Sequence, residues 1–292
     1  MSAHPRAIQS VFSGRTAPVP YGPWIRDLDR LAGEYQRGEP VAHIRIPQFL
    51  QPHLALRMAQ EFPHPDAGSW TRYRHYNENK LGMTDWKMFP ASLRQAVVDL
   101  NSPLFASGMS VLTGIRGLFP DPGLDGGGLH LCMRGGYLNL HTDFSMHHYR
   151  KGLRRRVNLI LYLNPLWDES WGGAIEFWER SRQHCVAKYA PHLNHAVIFN
   201  TEDRALHGFP DPLNCPANVF RKSLALYYYT MEPGASKARS TDYYARSSDG
   251  TAKRALVWLD KKAVDLYSKA KTRFKFSDKP ASKILGFLSR RS

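Results

Sequence analysis

A chain of 292 residues with 42% hydrophobic and 12% aromatic content can bury a full core, and its composition excludes a disordered or fibrous protein. No apolar run approaches the roughly 20 residues that span a bilayer, and the start of the chain lacks the continuous apolar stretch of a secretory signal. The formal net charge of +15 is uneven: from residue 234 to the end there are 15 Lys+Arg against 5 Asp, so this tail holds +10 of it.

Cys132, Cys185 and Cys215 are odd in number and lack CxxC spacing, which reads as reduced thiols in a cytoplasmic protein. Residues 1–22 read as a flexible leader punctuated by Pro18 and Pro20. From 24 to 37, Ile25, Leu28, Leu31, Ala32 and Tyr35 recur at helical spacing, and 41–46 is a short strand. A second helix starts near Pro52. Residues 70–90 are aromatic and polar without clear periodicity, a long loop or irregular hairpin of the kind that covers a binding site. Residues 91–112 are helical again, broken in two by Pro103. The stretch 23–128 thus forms an N-terminal helical support and substrate-loop region.

After Gly126-Gly127-Gly128 the pattern changes to short strands, predicted at 129–133, 137–143, 157–163, 174–178, 185–190, 196–200 and 219–229. Strands at this spacing without intervening helices predict a sandwich or barrel. The expected fold class is therefore α+β with a mainly β core over 129–233, a jelly roll buttressed by the N-terminal helices. The tail, 234–292, reads as a basic helical C-terminal extension. Within it, 252–274 places Leu256, Leu259, Ala263, Leu266, Tyr267 and Ala270 on one helical face, expected to pack on the body or on a second subunit, and a short helix is predicted at 281–288.

Chemistry concentrates at Tyr137-Leu138-Asn139-Leu140-His141-Thr142-Asp143. Strand alternation puts His141 and Asp143 on one face, with Tyr137 and Asn139 beside them. An imidazole and a carboxylate so placed are two thirds of a site suited to non-haem iron(II), although a polar, solvent-facing edge has the same pattern. His207, just beyond the apolar strand 196–200 and at the mouth of a turn, is the preferred third ligand. His147, His148, His184, His192 and His195 are its rivals. In the long apolar strand 219–229, Arg221, Ser223, Ala225 and Tyr227 share a face. A guanidinium carried inside a barrel there would need an anionic partner, which could be an internal carboxylate or a ligand. The cluster Lys151, Arg154, Arg155, Arg156 and the group Tyr73, Arg74, His75, Lys80 read as solvated charged loops or contacts for an anionic substrate.

Together, His141-Thr142-Asp143, the later His207, and Arg221-Lys222-Ser223 resemble the HxD…H…RxS pattern of the Fe(II)/2-oxoglutarate-dependent oxygenases, in particular the prolyl 4-hydroxylase-like branch. The strand Asn158–Asn164, the Trp171-Gly172-Gly173 turn leading to Glu176 and the aromatic last strand add to the resemblance. It implies a double-stranded β-helix, cupin-like in form, with Fe(II) held by His141, Asp143 and His207. It implies also that Arg221, helped by Ser223, binds the far carboxylate of the cosubstrate 2-oxoglutarate, and that O2 takes the remaining metal position. Tyr137 and Asn139, with Tyr162 and Asn158 on the neighbouring strand, are further candidates for cosubstrate or ligand contacts. The implied reaction is hydroxylation of an unactivated C–H bond in a small-molecule or peptide substrate, with 2-oxoglutarate converted to succinate and CO2. An aspartate at 143 favours hydroxylation over halogenation, for which related enzymes have a small residue there. Two other readings stay open: a cupin-like zinc hydrolase or isomerase using the same three ligands, and a basic protein binding nucleic acid or a membrane surface through its tail. The tail's partner is expected to be anionic or a second subunit, with a homo-oligomer as one outcome.

Overall fold

The computed structural model describes residues 20–234 and 238–274. The leader up to residue 19 and the helix predicted at 281–288 lie outside them. Among the described residues four α-helices alternate with the first strands of the sheet: α1 (Leu28–Gln36), α2 (Pro52–Gln60), α3 (Ala91–Leu100) and α4 (Pro103–Thr113). Between α3 and α4, the Ser102 hydroxyl caps α4 by accepting from the Phe105 amide at 3.2 Å, and Pro103 occupies the first turn, where a missing N–H costs nothing. On α1, Leu28, Leu31 and Tyr35 are buried, as their spacing predicts.

The described residues form thirteen strands, in chain order β1 (His43–Ile46), β2 (Thr71–His75), β3 (Glu78–Met83), β4 (Phe119–Pro120), β5 (Gly128–Cys132), β6 (Tyr137–Thr142), β7 (Leu153–Tyr162), β8 (Ile175–Trp178), β9 (Cys185–Tyr189), β10 (Ala196–Asn200), β11 (Leu206–Phe209), β12 (Arg221–Met231) and β13 (Asp242–Tyr244). They form one antiparallel sheet whose main path runs β1-β10-β7-β12-β5-β3-β6-β11-β8-β9, with β2 on β3, β4 on β12 and β13 on β6, curled into a nearly closed jelly roll, the double-stranded β-helix. One face of β5, β7 and β12 presents Leu129, Leu131, Leu159, Leu161, Leu224 and Leu226 to Leu93, Leu100 and Phe105 of the helices. The helical layer thus seals that face, and the other face is left to line a cavity.

Of the two forms expected for 70–90, loop or hairpin, the structure has a hairpin, β2–β3, whose second strand bridges β5 and β6. Two features depart from the sequence reading. The basic cluster after the HxD motif is not a solvated loop: β7 begins at Leu153, and Arg155 within it is 1% exposed. Beyond residue 237 the tail first adds β13 to the free edge of β6, pairing Tyr243 with His141, and then forms α5 (Thr251–Phe274). That helix docks through Val257 and Asp260, while Leu256, Leu259 and Ala263, the face expected to pack, point outward. Polar chemistry decides this orientation. The Asp260 carboxylate accepts from the Asn77 side chain at 2.6 Å, from the backbone amides of Tyr76 and Asn77, and from His75 Nδ1 at 2.6 Å.

Candidate active site

The two histidines arrive from neighbouring strands. His141 of β6 stands directly opposite His207 of β11, so residues 66 apart in sequence have ring centroids 4.3 Å apart. His207 sits within a strand rather than at the turn mouth expected, because the four residues 206–209 complete the bond ladder between β6 and β8. Asp143 follows the end of β6. The ligand atoms of His141, Asp143 and His207 all lie within 4.8 Å of one another, in a cluster of buried side chains. His141 Nε2 is 3.7 Å from Asp143 Oδ1, and His207 Nε2 is 3.6 Å from Oδ2.

Both rings are held by their other nitrogen. Nδ1 of His141 donates to the Asn139 carbonyl at 3.0 Å, and Nδ1 of His207 to the Ala205 carbonyl at 2.9 Å. A carbonyl can only accept, so the proton resides on Nδ1 and the Nε2 lone pair of each ring faces the centre. Burial, reinforced by the neighbouring His207, lowers the pKa of His141 to about 3 despite Asp143 and the Asn139 carbonyl. Burial lowers that of His207 as well. Burial alone would raise Asp143, but Arg155, the two imidazoles and the Asn158 amide outweigh it and hold the carboxylate well below its usual range. The result is two neutral imidazoles and one carboxylate, the ligand set that binds a divalent iron.

Asp143 is braced from behind. Its Oδ2 accepts from Asn158 Nδ2 at 2.6 Å and lies 3.2 Å from Arg155 Nη2. Arg155 donates from Nε to Asn158 Oδ1 at 2.8 Å, and its guanidinium lies over the Tyr227 ring at 3.3 Å. Asn158 was legible as a candidate; Arg155 was hidden in a run of three arginines.

Arg221, 5% exposed, donates from Nε to the Gly173 carbonyl at 2.6 Å and from Nη2 to the Tyr162 hydroxyl at 3.2 Å, with the Phe209 ring beneath it at 4.2 Å. Gly173 has φ +76°, and a Cβ there would come within 2.6 Å of Leu213 and 3.0 Å of Arg221. The Gly-Gly turn therefore brings a bare carbonyl up to the guanidinium. Among the described residues no carboxylate lies within ion-pair distance of Arg221, so the internal partner that the sequence left open is not there. Ser223, Ala225 and Tyr227 follow it along the same cavity wall.

Tyr137 and Asn139 are placed elsewhere. The register of β6 on β11 changes between the pairs His141–His207 and Leu138–Phe209, so β6 carries one extra residue there. Such a bulge reverses the alternation of side chains. Leu138, His141 and Asp143 consequently face the cavity, whereas Asn139 donates to Asn77 Oδ1 at 3.0 Å and the Tyr137 hydroxyl to the His75 and Tyr76 carbonyls at 3.3 Å. These two residues support the hairpin turn instead of lining the cavity. Of the rival histidines, His147 and His148 are gathered by Asp121 and Asp125, and His192 pairs with Glu169.

The cavity measures about 230 Å³ and is walled by His141, Asp143, His207, Arg221 and Ser223, with Arg72, Arg74 and His75 of the hairpin, His148, and Thr241 and Tyr243 of the C-terminal segment at its sides. His75 is central to that wall: its Nε2 is 2.9 Å from Glu78 Oε1, and Glu78 in turn pairs with Lys80 at 2.9 Å. Burial would lower the His75 pKa, yet Asp260 and Glu78 overcome it and raise it to about 9.

No curated protein matches the chain in sequence. Among solved structures it is similar to a prolyl-4-hydroxylase of Pseudomonas putida, at 18% identity and TM-score 0.49 over 68% of this chain and 98% of that one. It is also similar to a prolyl hydroxylase of Trichoplax adhaerens in complex with a hypoxia inducible factor peptide fragment, at 16% identity and TM-score 0.48 over 70% and 91%. A third is HygX of Streptomyces hygroscopicus with nickel and 2-oxoglutarate bound, at 12% identity and TM-score 0.42 over 65% and 83%. Residues 127–229, which carry His141, Asp143, His207 and Arg221, match the family model of the 2OG-Fe(II) oxygenase superfamily.

Proposed function

We propose that the protein is an Fe(II)- and 2-oxoglutarate-dependent dioxygenase that hydroxylates an unactivated C–H bond. The observation that carries this reading is the pairing, in one cavity, of a buried two-histidine, one-carboxylate cluster with a buried arginine that has no carboxylate partner among the described residues. A buried cation without an anion is costly, and a dicarboxylate cosubstrate would supply one. The same feature favours the oxygenase over a zinc hydrolase, whose metal-bound water attacks the substrate without any dicarboxylate cosubstrate.

Iron(II), 2-oxoglutarate and O2 would supply the oxidising chemistry, converting the cosubstrate to succinate and CO2 while one oxygen atom enters the substrate. The chain's own residues hold and orient these partners. His141, Asp143 and His207 would hold the metal, and their Nδ1–carbonyl bonds fix both imidazoles in the ligating tautomer. Arg155 and Asn158 keep Asp143 ionised and restrict its rotation. Arg221 would grip the far carboxylate of 2-oxoglutarate through the guanidinium nitrogens not spent on Gly173 and Tyr162, with the Ser223 hydroxyl beside it. The hairpin and the C-terminal strand flank the cavity, so the substrate, small molecule or peptide, would enter between them. Iron-dependent conversion of 2-oxoglutarate to succinate, measurable even uncoupled from substrate, tests the proposal. Iron binding without any such conversion, with or without candidate substrates, would overturn it.

A further inference from the structure

The outward face of α5 is the least explained surface of the molecule. Successive helical residues turn by about 100°, so Ala252, Ala255, Leu256, Leu259, Ala263 and Leu266 fall in one stripe. All six are exposed, with Leu256 at 42%, Leu259 at 56% and Leu266 at 71%, and Trp258 at the margin of the stripe is 54% exposed. The helix is already fixed to the body by its other side, through Val257 and the hydrogen bonds of Asp260, so the stripe contributes nothing to that attachment. A row of exposed leucines held at a fixed orientation is unusual for a surface without a partner.

Charge selects the partner. Lys262 is exposed beside the stripe, Arg254 is exposed further round the helix, and the sequence continues with Lys269, Lys271, Arg273, Lys275, Lys279 and Lys283. From residue 234 onward the chain carries +10. Apposing two such helices across a self-interface would bring like-charged segments together, which opposes association. Nucleic acid would satisfy the lysines but leave the leucines in water. A bilayer with anionic headgroups satisfies both, because a helix lying in the interface buries its apolar stripe at the acyl boundary and sets its basic flanks among the phosphates. We infer that α5 docks the protein on an anionic membrane surface through Leu256, Leu259 and Leu266.

The test is co-sedimentation of the full chain with vesicles of phosphatidylcholine mixed with phosphatidylglycerol, against phosphatidylcholine alone. The expected result is at least about tenfold stronger partition onto the anionic vesicles, reduced about tenfold in Leu256→Ser/Leu259→Ser. Because both positions are solvent-exposed, that variant should keep the melting temperature and uncoupled 2-oxoglutarate consumption of the wild type. The vesicle assay needs no turnover, so its outcome is independent of the proposed chemistry. Equal partition onto both vesicle types overturns the inference. So does binding that the serine variant retains in full and salt alone removes, which would be charge adsorption without insertion. Sedimentation equilibrium showing a dimer lost in the serine variant would instead make the stripe a self-interface.

Discussion

Asp143 gives one oxygen to each imidazole's neighbourhood, and its Oδ2 is also held by Arg155 and Asn158. Replacing Arg155 with Met removes the charge that keeps this carboxylate ionised and oriented, so Fe(II) affinity should fall about 10- to 100-fold. Arg156→Met should leave it unchanged, since Arg156 pairs with Glu232 on the outside. Metal titration monitored by calorimetry compares the two. The same experiment checks the protonation state. With His141 at about 3 and His207 also lowered, both rings are already neutral near pH 7. Metal binding should then release almost no proton, giving heats that do not depend on the ionisation enthalpy of the buffer. Release of one or more protons per metal near pH 7 would show that the rings are charged in the free protein.

Among the elements, the one that brings His207 into place is the pairing of β6 with β11. Gly208 lies at the bulge, where an added Cβ would come within 2.7 Å of the Leu138 carbonyl oxygen and 2.8 Å of that of Asn139. Both contacts are backbone and cannot give way, so Gly208→Ala should cost roughly 1–3 kcal/mol of stability and displace His207. Thermal unfolding and loss of metal binding would register it. This element also shows what was legible in the sequence. Helix periodicity, the Pro103 break and the strict alternation Arg221, Ser223, Ala225, Tyr227 read through directly, because regular elements keep their period. The bulge in β6 and a second in β7, between the pairs Tyr228–Val157 and Tyr229–Arg155, do not. Each reverses the alternation beside the His141–Asp143–His207 cluster, turning Asn139 away from it and Arg155 toward it. Extra residues of this kind leave no mark in a period-two pattern, so the two misplacements at the site, Tyr137 with Asn139 and Arg155, share that cause. β13 is only three residues long and carried no signal of its own.

At the scale of the whole molecule, the C-terminal segment and the β2–β3 hairpin are joined through His75, between Asp260 of α5 and Glu78 of β3. Its pKa is raised on folding from the ordinary 6.5 to about 9, so the folded protein binds the extra proton. Stability from this junction is therefore present in full below about pH 6.5, declines as pH rises, and is gone above about 9. Hydrogen exchange in β2, β3 and α5 should accelerate between these limits while β7 and β12 stay protected, and His75→Phe should abolish the pH dependence. The proposed activity requires one cavity to hold a metal and a dicarboxylate at once. Anaerobic addition of Fe(II) and 2-oxoglutarate, watched for the visible charge-transfer band of the chelate, tests it most directly. The band should appear in wild type and disappear in His207→Ala. In Arg221→Met it should require about 10- to 100-fold more 2-oxoglutarate, the loss of a charge-assisted grip on one carboxylate. Absence of the band in wild-type protein that binds iron, or an Arg221→Met titration identical to wild type, would contradict the account.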